Sequence, residues 1–161
     1  LYARRQRQMC IRDSSISVID KKKYSILKKR NRNKKIKFFK SIDDINNQNN
    51  LDYIIFATRP FELTNVFKEL KNANFNKKSI AISVIAGKKT EIFKNNLLNI
   101  NKIVRVMPNM PALIGEGVHC IYTNKYINKK EIKEIDKLFS LSGTTLFFKS
   151  ETFIDLSLIH I

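Results

Sequence analysis

A chain of 161 residues, 43% of them hydrophobic, has room for one domain with a real core. No apolar run reaches the roughly 18 residues of a membrane-spanning helix, and the basic start is not followed by the apolar stretch of a signal peptide, so a cytoplasmic protein is expected. The formal net charge of +17 would ordinarily suggest nucleic acid or an anionic surface as partner. The excess is almost all Lys, however, spread along the chain and accompanied by abundant Ile and Asn. These are residues of A/T-rich codons, so one biased genome explains all three. No zinc-finger, RNP or helix-turn-helix pattern is present, and no nucleic-acid partner is expected. Cys10 and Cys120 lie far apart and match no metal or redox spacing, which argues against a disulfide framework and a metal site.

The two ends differ from the middle. Arg4, Arg5, Arg7 and Arg12 are half of the chain's eight arginines, while the first Lys is Lys21 and the first Asn is Asn31. Residues 1–14 show neither helical nor strand periodicity, and 5–14 resemble translated adapter sequence, as do 156–161. Both ends are therefore expected to be non-native tails, leaving 15–155 as a partial dinucleotide-binding domain.

Between the tails, strand and helix patterns alternate. Residues 16–19 form a short apolar run ending at Asp20, a strand candidate, and 22–30 read as a basic, weakly amphipathic helix. A brief strand is expected at 37–39 and a polar loop at 46–50. The continuous apolar run 53–57 fits a central strand buried on both faces. Pro60 then opens a helix whose Leu63, Val66, Phe67 and Leu70 make one stripe. A second buried strand, 80–85, stops at Gly87. A helix carrying Ile92, Phe93 and Leu97 starts near Thr90, and 102–107 is the next strand. Ile132, Ile135, Leu138 and Phe139 mark a helix ending near Gly143, and 144–148 is a last strand.

Such alternation implies an α/β fold with a mostly parallel sheet, in which ligands sit at the carboxyl ends of the strands. The residues just past those ends are Asp20, Ala57-Thr58-Arg59-Pro60, Ala86-Gly87 and Met107-Pro108-Asn109. A dinucleotide fold also needs a Gly-rich turn after its first strand, so that backbone amides can approach a pyrophosphate. No glycine precedes Gly87. Asp20 would suit the acidic position that ends the second strand and binds the adenosine ribose, or it is a plain turn residue. The run at 16–19 is therefore expected to be a second strand, the first strand and its turn being missing.

Three strand-end motifs resemble those of the Δ1-pyrroline-5-carboxylate reductases. Phe56-Ala57-Thr58-Arg59-Pro60 is close to that family's Ala-Val-Lys-Pro, and Ser83-Val84-Ile85-Ala86-Gly87 to its Ser-x-x-Ala-Gly. Arg105-Val106-Met107-Pro108-Asn109-Met110-Pro111, continuing to Gly115-Glu116-Gly117, nearly spells its Arg-x-Met-Pro-Asn-x-Pro motif and the Glu-Gly that follows. Ser142-Gly143, Glu151 and Asp155 resemble the stretch leading into its dimerisation helices. The resemblance covers 16–155.

It implies a truncated Rossmann-like domain of an NADPH- or NADH-dependent reductase that converts 1-pyrroline-5-carboxylate to proline. It places Asp20, Ala57, Thr58, Arg59, Pro60, Ala86, Gly87, Pro108 and Asn109 at the cofactor, with no catalytic side chain among them. Asp20 would repel a 2′-phosphate while Lys21, Lys22 and Lys23 would attract it, and the resemblance favours NADPH. The family's substrate-holding Ser-Gly-Ser-Gly-Pro segment does not follow Asp155. The chain alone is thus expected to be inactive, and the intact protein to be a homo-oligomer joined through a C-terminal domain not present here. His119 lies in the apolar run 117–122 and is expected to be structural, as is Cys120. Two alternatives are a hydroxy-acid dehydrogenase of the same superfamily, with a catalytic Lys in a C-terminal domain, and a basic nucleic-acid-binding protein.

Overall fold

The computed structural model describes residues 15–157. Its elements, in chain order, are β1 (Ile16–Ile19), α1 (Tyr24–Arg30), β2 (Ile36–Phe39), β3 (Tyr53–Phe56), α2 (Leu63–Glu69), β4 (Ile80–Ser83), α3 (Thr90–Asn96), β5 (Lys102–Pro108), β6 (Gly117–Thr123), α4 (Lys129–Phe139), β7 (Gly143–Phe148) and α5 (Thr152–Ser157). Short 3₁₀ turns lie at Gln48–Asn50, Met110–Ile114 and Ser140–Ser142. The expected tail 1–14 lies outside the described residues, as does 158–161; α5 itself continues across Leu156 to Ser157.

The strands form two sheets rather than the single one expected. β1 and β2 pair in parallel, and β3-β4-β5-β6-β7 form the second sheet in sequence order. Every pairing is parallel except β5 with β6, where the rim turn at 110–116 reverses the chain directly. β4 is buried along its whole length, as its apolar run requires in a strand covered on both faces. On one face Ala81 and Ile103 meet Phe56, Leu63, Phe67 and Phe93 beneath α2 and α3. On the other, Ile80, Ile82, Val104, Val106 and Ile121 pack under Ile135 of α4. Phe56, Phe67 and Phe93 form a triangle with ring centroids 5.1 to 6.1 Å apart, two of its contacts edge-on.

Local chemistry explains where the elements start. α1 begins two residues later than expected because Asp20 Oδ1 accepts the Lys22 and Lys23 backbone N–H groups, folding 21–23 into a turn. α2 starts at Leu63 because the residues after Pro60 close a turn, with Glu62 N–H donating to the Arg59 carbonyl. α4 carries a capping box, in which Asn128 and Glu131 satisfy each other's backbone N–H groups. Gly143 has φ 149°, and a Cβ there would lie 2.0 Å from the Gly117 carbonyl oxygen, so β6 and β7 can begin side by side only with glycine at this position.

Truncating the fully buried Phe93 to Ala should lower the unfolding free energy by about 3–5 kcal/mol in urea denaturation, because it removes two of the three aromatic contacts and leaves a cavity.

Candidate cofactor-binding rim

The register of the parallel ladder brings the expected segments together. Phe56, Ser83 and Arg105 are neighbours across β3, β4 and β5. The residues that follow, 57–60, 86–87 and 107–109, therefore leave the same edge of the sheet side by side. Asp20 joins them from the other sheet: Lys22 Nζ lies 3.1 Å from Glu62 Oε1 and Lys21 Nζ 2.6 Å from Glu69 Oε1, tying the end of β1 to α2 just beyond β3. These ion pairs are exposed and contribute little stability, but they show which way β1 runs. The Lys22 ammonium beside Glu62 also holds that carboxyl below its ordinary range.

Several rim groups suit a bound nucleotide. Thr58 Oγ1 is buried and has no hydrogen-bond partner among the described residues. Gly87, at φ 68°, has nothing within 4 Å of where a Cβ would stand, so the chain turns there beneath open space. Ala57, Arg59, Pro60, Ala86 and Pro108 are exposed at the rim, and the Arg59 guanidinium lies 5.9 Å from the exposed ring of Phe61. Asp20 is held by its two backbone contacts with one carboxylate oxygen. Asn109 Oδ1 accepts the Val118 N–H at 2.9 Å and so extends the β5–β6 ladder by one rung. A shallow polar concavity lined by Ile45, Asn46, Gln48 and Asn74 lies at the opposite, amino end of β3 and β4.

Below the rim sits a cluster that the strand-end reasoning did not single out. Arg105 is fully buried at the centre of β5, with Nη1 3.3 Å from Glu151 Oε1. The Glu151 carboxylate also accepts the Thr90 backbone N–H at 2.8 Å and the Thr90 hydroxyl at 2.9 Å. One carboxylate thus pairs with a core guanidinium and satisfies the start of α3. The sequence signal was an Arg inside an otherwise apolar strand, which requires a partner. His119 is also buried, its Nε2 2.9 Å from Ser142 Oγ and its ring against Phe139. Burial holds its pKa below the ordinary value, against a smaller upward pull from Ser142, so it is a neutral packing residue. Cys120 is a buried free thiol.

Fold and rim together define a Rossmann-like α/β domain. No family model matches the chain. Among curated proteins it is 30% identical over 121 residues to the pyrroline-5-carboxylate reductase of Haemophilus influenzae, a match covering 71% of this chain and 44% of that protein. The solved pyrroline carboxylate reductase of Plasmodium falciparum with NADP bound superposes with TM-score 0.61 at 26% identity, covering 74% of this chain and 44% of that one. D-mandelate dehydrogenase with NADH superposes at TM-score 0.65, covering 91% of this chain and 53% of that one; at 15% identity this is a likeness of fold alone. The chain is thus similar to pyrroline-5-carboxylate reductases over most of its own length, and it spans less than half the length of the Haemophilus protein.

Replacing Glu151 by Gln should lower stability in chemical denaturation by roughly 1–3 kcal/mol, since it removes a charged partner of a buried guanidinium. The depressed pKa of His119 has a definite sign. Below the ordinary value of 6.5 the unfolded chain binds a proton that the folded chain resists. Its contribution is therefore complete above 6.5 and is lost as the pH falls through the lowered folded value. His119→Gln should flatten this slope of the urea midpoint against pH, and an unchanged slope would show that the imidazole titrates freely.

Proposed function

We propose that the protein to which this chain corresponds is an oxidoreductase of proline biosynthesis that reduces 1-pyrroline-5-carboxylate to proline with NADPH or NADH. The observation that carries this reading is the convergence, on one sheet edge, of the three segments that bear the reductase-like motifs. The cofactor, when bound, supplies the hydride.

What this chain contributes is one wall of its site. Thr58 offers an unpaired buried hydroxyl to the ribose and phosphate side, and Arg59 a cation beside it. Ala57 and Pro60 set the path of that turn. Ala86 and Gly87 let the backbone come close to the nicotinamide side, with Pro108 stiffening the turn opposite and Asn109 fixing it through Val118. Asp20 faces the adenosine end, where Lys21, Lys22 and Lys23 favour NADPH over NADH despite the carboxylate. No metal is assigned to the site. The pyrophosphate cradle is not supplied by this chain, whose first glycine is Gly87.

The domain is assigned to 15–155. Substrate binding and homo-oligomer formation are assigned to a further C-terminal domain of the intact enzyme. Among the described residues no helix is long and apolar enough to cross a membrane, and we place the enzyme in the cytoplasm.

Two proteins test the reading, the 161-residue chain and the full-length gene product, each mixed with NADPH and pyrroline-5-carboxylate. The chain should consume no cofactor above background and the full-length protein should turn over and release proline. Turnover of a 2-keto acid in place of the imine would replace this reading with the hydroxy-acid dehydrogenase one.

A further inference from the structure

Codon bias accounts for how much lysine the protein holds, but not for where it falls. Eleven of the twenty residues 21–40 are Lys or Arg, and none is Asp or Glu. The even spread expected from the sequence fails in this stretch, and a preference for lysine does not by itself exclude carboxylates. The stretch makes up one structural unit: the turn after β1, α1, the loop into β2, β2 itself and Lys40. All eleven cations are exposed.

Little of this charge is used within the fold. Lys21 pairs with Glu69 and Lys22 with Glu62. The other nine make no ion pair among the described residues. Lys28, Lys29 and Arg30 occupy the last turn of α1, where a cation suits the helix dipole. That reason does not extend to Arg32, Lys34, Lys35, Lys37 or Lys40. The loop carrying the first three of these is held by its asparagines instead. Asn31 Nδ2 donates to the Ile36 carbonyl at 2.6 Å and to the Asn33 carbonyl at 3.0 Å. Asn31 Oδ1 accepts the Asn33 N–H, and Asn33 Oδ1 the Lys35 N–H. Carboxylates at either end of the stretch are turned to backbone: Asp20 takes the N–H groups of Lys22 and Lys23, and Asp44 those of Lys40 and Ser41. A fixed loop and a short helix therefore present uncompensated cations on one unit, with part of the ordering cost of binding already met.

We propose that this α1–β2 face binds the phosphodiester backbone of a nucleic acid, without reading its sequence. Charge complementarity identifies the partner, since a strand of regularly spaced phosphates gains from each cation that displaces its counterions. Base stacking is not provided for. The ammonium groups of Lys28 and Lys40 lie 5.3 and 5.5 Å from the centre of the Tyr24 ring, and Phe38 and Phe39 are half-buried. An anionic membrane fits less well. A helix that enters a bilayer surface needs an apolar stripe, and the one large exposed apolar side chain of α1 is Ile26. β1 and β2 are parallel, so the loop 31–35 enters β2 at the end away from the rim. A nucleic acid held there leaves the rim open. The site is additional to the reductase reading and does not rest on it.

Fluorescence anisotropy on the full-length gene product tests this, with a labelled oligouridine RNA and a mixed-sequence DNA duplex, each of about 20 nucleotides or base pairs. With about five cations on phosphates, the RNA affinity should fall with salt at a log–log slope of about −3 to −4. Replacing Lys29, Arg30, Lys34 and Lys35 together by Gln should weaken RNA binding more than about tenfold and flatten that slope by about 2 to 3. Replacing Lys68, Lys71, Lys77 and Lys78 by Gln removes equal charge elsewhere, and should change binding less than about threefold. Both variants should keep the urea midpoint and the cofactor turnover of the parent protein. Binding to either nucleic acid with this pattern supports the proposal, and the tighter of the two identifies the source of the phosphates. Equal weakening by the two variants would reduce the effect to net charge and overturn the site. So would no binding at low salt, a more than about tenfold preference among RNA sequences of equal length, or binding to phosphatidylserine vesicles but to neither nucleic acid. A full-length protein that binds RNA in this way yet reduces no imine would count against the reductase reading alone.

Discussion

Side-by-side pairing of Phe56, Ser83 and Arg105 is the constraint from which the functional geometry follows. Parallel strands in step finish together, so whatever residues come next are delivered to one edge. Shifting β4 by one residue against β3 would move its side chains to the opposite faces. Ala81 would leave the phenylalanine cluster and Ile82 the α4 face. Burial on both sides therefore locks the register, and the locked register places Thr58, Gly87 and Asn109 on a common rim.

Arg105 sits under that rim as the one charged side chain among the fully buried ones of the described residues. A lone guanidinium in such surroundings is very costly, and pairing with Glu151 reduces the cost without making the site cheaper than an apolar one. What the pair adds is specification. Glu151 lies 61 residues from Thr90 and 46 from Arg105 in sequence, so a single carboxylate fastens the start of α5 to the start of α3 and to the middle of the sheet.

Most of this arrangement was legible in the residues. The runs at 53–57 and 80–85 read as doubly covered strands because they are apolar without alternation; β4 is indeed buried along its length, but β3 is the edge strand of its sheet with Ile55 exposed, and each ends slightly early. Ser83 explains one of those ends: its hydroxyl accepts the Ile85 N–H and turns the chain out of the ladder. The 3₁₀ turn at Met110–Ile114 was hidden because five residues around Pro111 carry no period to recognise. The break between β1 and β3 was hidden for a deeper reason, since an apolar strand looks the same whether its edge is filled or open. For the rim, position could be read from strand ends but state could not: that Thr58 Oγ1 is buried without a partner, or that the Asn109 carbonyl completes a ladder, depends on segments brought close only by folding.

The position of Glu151 bears on where this domain can be separated from whatever follows it in a longer polypeptide. The last strand ends at Phe148, and a boundary drawn there by secondary structure would look clean. It would remove a carboxylate that pairs with Arg105 and uncover the amide end of α3 in the same cut. Protease nicking or recombination just after β7 should therefore disturb the sheet interior, not merely trim a terminus. The natural seam lies at least as far along as α5, so the domain's last turn of chain belongs to its core.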